Sequence, residues 1–124
     1  MDPPIVVQYE TNAASALSAL TAVVARLGHT LGAVDNQNGI VTFETGMSRS
    51  SWAYKMSAPV LSTGSAVQIT ISGTRKPQGA QLQIAEFGEA RNIATKVFDQ
   101  LIPILGQGQL IGGYRTASFQ RPQW

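Results

Sequence analysis

The 124-residue chain predicts an α+β fold: a single antiparallel sheet of four to five strands packed by two helices, in the order β-α-β-β-β-β-α, with a C-terminal tail. Three observations predict it. Short segments alternate apolar and polar side chains at the period of a strand, and two longer segments repeat apolar residues at helical spacing. Turn signals such as Asn38-Gly39 and Ser62-Thr63-Gly64-Ser65 fall between the strand-like segments. Hairpin links make the sheet antiparallel, and two helices of this length cover one of its faces. The expected boundaries are 1–105 for the single α+β domain and 106–124 for a flexible Gly/Gln-rich tail.

Each element has its own warrant. Ile5, Val7 and Tyr9 alternate with Val6, Gln8 and Glu10 as a first strand. Asn12 stands at a helix N-cap, where its side chain accepts a free backbone N–H. Ala13, Leu17, Leu20, Val24 and Leu27 form one helical stripe, and Gly28 follows as the residue that ends it in a left-handed conformation. The opposite face carries Ser15, Ser18, Ala22 and Ala25, and Arg26 is the helix's sole charge.

His29 to Val34 reads as a second strand and Ile40 to Thr45 as a third, joined through Asn38-Gly39, both of which tolerate positive φ. Trp52 to Leu61 is a fourth, with Trp52, Tyr54, Met56 and Ala58 on one face. Pro59 cannot donate to a ladder, so this strand is expected to be an edge, to bulge, or to end there. Val67, Ile69 and Ile71 against Gln68, Thr70 and Ser72 make the clearest strand, and Gln81 to Ile84 is a short further candidate. A second helix is expected from Glu86 to Leu105 on the stripe Phe87, Ala90, Ile93, Ala94, Val97 and Leu101, kinked or ended by Pro103.

Composition narrows the chemistry. With no cysteine, the chain has no disulfide, thiolate metal site or thiol nucleophile, and with His29 as its one histidine it has no paired imidazoles. Charged residues are 13%, against a usual quarter, so few titratable groups exist from which to build a catalytic constellation. No secretory signal and no run of about 20 apolar residues is read, so the expected location is cytoplasmic, with no membrane partner.

The stretch from Val6 to Thr45 resembles the strand–helix–hairpin opening of small bacterial α+β modules, of which the repeated domains of the outer-membrane assembly lipoprotein BamC are one example. The matching residues are the Ala/Leu helix ending in Leu27-Gly28, then Leu31, Val34-Asp35 and Gly39-Ile40-Val41-Thr42-Phe43. They are fold determinants covering about a third of the chain, which lacks the cysteine a lipoprotein would carry. The resemblance implies a scaffold or interaction module.

Each candidate site has a plainer role. His29, just past a helix-ending glycine, has no recognisable nucleophile motif to serve, and reads as a cap on free carbonyls. Gly46-Met47-Ser48-Arg49-Ser50 lacks the last glycine of a nucleophile elbow. Gly106-Gln107-Gly108 follows a helix, whereas a dinucleotide fingerprint follows a strand. Glu86 and Glu89 complement the helix dipole. Arg49, Lys55, Arg75 and Lys76 are too few for a nucleic-acid surface, so that partner is not expected.

Two features suit contact with another protein. One is the charge-poor Ala/Ser helix face, because charge depletion marks interface cores. The other is the tail, more apolar than a linker with Leu110, Ile111, Tyr114, Phe119 and Trp124, which could add as a strand in cis or in a partner. The reading is a non-enzymatic interaction module, self-associating or meeting a protein partner, without catalytic residues, metal or cofactor. The alternative is a carrier of a small apolar ligand, in a cavity between sheet and long helix lined by Trp52, Tyr54, Met56 and Phe98.

Overall fold

The computed structural model describes residues 4–46, 53–75 and 89–112. In chain order the elements are β1 (Ile5–Tyr9), α1 (Ala13–Arg26), β2 (Thr30–Asp35), β3 (Ile40–Glu44), β4 (Tyr54–Ser62), β5 (Val67–Arg75), α2 (Glu89–Leu105) and β6 (Gln109–Gly112). The strands form a six-stranded sheet in the order β2-β3-β4-β5-β1-β6, antiparallel at every pairing. The α+β class is as expected, but the sheet has six strands rather than four to five. The additional strand comes from the stretch read as a tail: Gln109–Gly112 pairs with β1, with Leu110 opposite Val7, and adds in cis. The short strand expected at Gln81 to Ile84 lies outside the described residues, as do residues 113–124.

Alternation along the strands places one wall in the core. Ile5, Val7, Val41, Phe43, Met56, Ala58, Ile69 and Ile71 face the helices and join Leu17, Leu20, Val23 and Val24 of α1 with Val97, Phe98 and Leu101 of α2 in one cluster. α1 packs over β2, β3 and β4, and α2 over β5 and β1. The other wall of the sheet carries Gln8, Thr42, Ser57, Gln68 and Thr70, and Gln68 Nε2 donates to Gln8 Oε1 at 3.2 Å.

α1 starts and stops where local chemistry dictates. Asn12 Oδ1 accepts from the Ser15 N–H at 2.8 Å. At the other end Gly28 takes φ +81, its N–H donates to the Ala25 carbonyl, and the His29 N–H donates to the Val24 carbonyl. Those bonds are a Schellman ending, possible at low cost because glycine has no Cβ to clash in this region.

Two sequence readings are refined, one at the β2–β3 turn and one within β4. Of the two residues that tolerate positive φ at Asn38-Gly39, Gly39 alone takes it, at φ +70. The β2–β3 loop spans residues 36–39, and Asp35 organises it: Oδ1 accepts from the Gln37 and Asn38 N–H groups at 3.0 Å each. A side-chain cap of this kind favours right-handed residues up to the closing glycine. Pro59 neither ends β4 nor bulges it nor lies on an edge, since β4 pairs with both β3 and β5. The Val60 N–H donates to the Gly39 carbonyl on the β3 side, so position 59 turns its backbone toward β5. There the ladder skips Ala58 and Pro59, and the register resumes unchanged at Val60↔Ile69.

A bulge shapes the outer strand. Leu31↔Phe43 and Val34↔Val41 leave Gly32 and Ala33 facing Thr42 alone, and Thr42 Oγ1 accepts the Ala33 N–H at 2.8 Å. The extra residue keeps both Leu31 and Val34 on the helix side of the sheet, where each is exposed. α2 runs through Pro103 to Leu105, the end the sequence predicts for it, so Pro103 does not stop the helix.

Candidate functional site

The outer face of α1 is the candidate surface, and its position follows from the helix's inner face. Ala16, Leu17, Ala19, Leu20, Val23 and Val24 are buried, which turns Ala14, Ser15, Ser18, Ala22 and Ala25 outward to solvent. None of these five is ionisable, and Arg26 in the last turn carries the helix's one charge. Thr21, at the boundary, directs its hydroxyl back to the Leu17 carbonyl at 2.8 Å and presents no free donor outward.

The second wall comes from the end of α2. Thr11, Ala14, Ser18 and Ala22 on one side and Ile104 and Leu105 on the other line an open groove of about 570 Å³. Ile104 is 44% exposed at its lip. Gly106, whose N–H donates to the Ile102 carbonyl, turns the chain out of α2 toward β6 and leaves Ile104 facing the groove. No lining residue bears a charge; the hydroxyl residues Thr11, Ser15 and Ser18 alternate with alanines opposite Ile104 and Leu105.

Tyr54, Met56 and Phe98 lie in the hydrophobic core, each 2% exposed or less, and Trp52 lies outside the described residues. Lys55 is exposed on the strand face opposite Tyr54. Arg49, Lys76 and Glu86 are outside the described residues, and Glu89 opens α2. Gly106 to Gly108 leads from a helix into a strand. Among the described residues no three His, Asp or Glu side chains come together as a metal-ligating group, and no helix is long and apolar enough to cross a membrane.

His29 caps the helix through its backbone, while its ring does something else. The imidazole stacks on Phe43, with ring centroids 5.4 Å apart and planes within 17°. Burial, and then the positive charge of Lys96, hold its pKa below the ordinary 6.5.

Sequence reasoning reached the α1 half of the groove but not Ile104 and Leu105. Both lie in the last turn of α2, after Pro103, and only the packing of α2 against α1 shows where they point. The fold and surface define a class: a small single-sheet α+β protein with helices on one face and an uncharged groove between them. No protein-family model matches the chain, and no curated protein matches it.

Proposed function

We propose that this chain is a non-enzymatic interaction module that works by protein–protein contact, self-association first, through the outer face of α1 and the groove beside it. One observation carries the reading: a continuous uncharged surface of small side chains on α1 runs into the exposed Ile104, so a second helix or loop can approach the backbone closely and cover apolar area. The exposed Leu31 and Val34 on the outer strand extend the apolar surface available to a partner. The resemblance of the opening to BamC-type modules supports the same class of role.

The test is Ala22→Arg in the full chain, followed by sedimentation velocity over a concentration series. Burying an unpaired charge in an interface costs about 3 kcal/mol or more, so the dissociation constant should rise at least about a hundredfold. Ala22 is exposed, so the circular dichroism spectrum should stay unchanged. A wild-type chain that is monomeric throughout, or an Ala22→Arg chain that associates equally well, refutes the reading.

A further inference from the structure

Asn38 is the chain's one asparagine that precedes a glycine, the dipeptide in which a missing Cβ leaves the backbone nitrogen open to attack the preceding side chain. We propose that Asn38 is a site of non-enzymatic deamidation, held in check by the Asp35 carboxylate. In the reaction, the Gly39 nitrogen loses its proton to base and bonds to Asn38 Cγ. The Cγ–Nδ2 bond breaks and the nitrogen leaves as ammonia with a proton from solvent. Water then adds to either carbonyl of the cyclic succinimide, opening it to aspartate or isoaspartate. Water is the only co-reactant.

The turn opposes each movement this requires. Asn38 Nδ2 donates to Asp35 Oδ2 at 2.8 Å, and the Asn38 N–H donates to Oδ1 at 3.0 Å, which draws the side-chain amide onto the carboxylate. The Gly39 N–H, whose nitrogen must become the nucleophile, donates to the Asp35 carbonyl at 2.8 Å. The Gly39 carbonyl accepts from the Val60 N–H at 2.6 Å, and a Cβ at Gly39 would lie 2.8 Å from the Val60 carbonyl oxygen, so the peptide has little room to rotate. The bonds from Asn38 also hold the Asp35 pKa down, as expected for a carboxylate that donors keep charged. Conversion replaces the donor at position 38 with a second carboxylate facing the first, so the product loses the clasp that slowed its own formation.

The experiment follows conversion at Asn38 by peptide mass mapping, with chromatographic separation of isoaspartate, in the full chain at mildly alkaline pH. The folded wild type should convert far more slowly than the same chain in urea. Asp35→Ala should accelerate conversion at least about tenfold, because a hydrogen bond to a charged acceptor holds its conformation by that factor or more. Asp35→Ser, which keeps an acceptor for the backbone N–H groups, should fall between. Thr42→Val removes the bond to the Ala33 N–H in the same hairpin but leaves the Asp35 clasp, and should match wild type. Equal rates in Asp35→Ala and wild type, equal acceleration by Thr42→Val, or a folded rate as fast as that in urea would each overturn the proposal.

Discussion

Ile69→Ala tests the packing beneath the proposed site most directly. Ile69 is 0% exposed at the third position of β5, with buried Val7 and Val60 opposite it on the two flanking strands. The change removes the equivalent of three methylene groups, about 2.4 kcal/mol of transfer free energy at ~0.8 kcal/mol each. If the site does not collapse, a cavity on the order of 80 Å³ adds up to about 2 kcal/mol at ~24 cal/mol per Å³. Strands on both sides and α2 above limit relaxation, so the expected loss is about 3–4 kcal/mol, inside the range for such truncations. Leu61→Ala is the companion variant: Leu61 is 62% exposed, so the change should cost no more than about 0.5 kcal/mol. Urea unfolding followed by far-UV circular dichroism, with unchanged slope, measures both. A loss below about 1 kcal/mol for Ile69→Ala, or equal losses for the two variants, would mean that the assigned wall of β5 is wrong.

Two further outcomes are expected. A chain ending at Leu105 should melt about 4 °C lower than one ending at Gly112. That shift corresponds to about 1 kcal/mol for the half-buried Leu110, and identical melting of the two truncations would show that β6 contributes nothing. Because the fold lowers the His29 pKa, the unfolded chain takes up the proton first as pH falls. Stability present above about 6.5 is therefore lost below it, toward the folded value. His29→Phe should remove that part of the loss between neutral and mildly acidic denaturation curves, and parallel losses in both proteins would refute the assignment.

What was legible in the sequence was local. α1 is readable from Asn12 to Gly28 because its cap and its stop act within one turn of the helix. The strands β3 and β5 are readable because their alternation runs without interruption. The errors lie where a residue's meaning depends on a distant partner. Whether Pro59 breaks a ladder depends on which neighbour its nitrogen faces, and the pairing of Val60 with Gly39 decides that. β6 reads as tail because Leu110 and Ile111 stand among Gly and Gln; its strand character comes from β1, about a hundred residues earlier. In the hairpin, the Asn-Gly signal located the turn correctly, but the Asp35 side chain, not the dipeptide, sets its geometry.

The proposed site follows the same division. On α1 the residues that hold the helix to the sheet and those that face outward are disjoint sets: Leu17, Leu20, Val23 and Val24 on one side, Ala14, Ser18 and Ala22 on the other. Most helical stability in a folded protein comes from the buried face rather than from surface pairs. The outer face of α1 is accordingly free of any folding requirement for charge or for its absence. A surface helix with no such requirement ordinarily fills its solvent side with Lys and Glu. α1 instead keeps small, uncharged side chains there and places them beside an exposed Ile104. The fold does not explain that choice, whereas a partner pressed against the helix would.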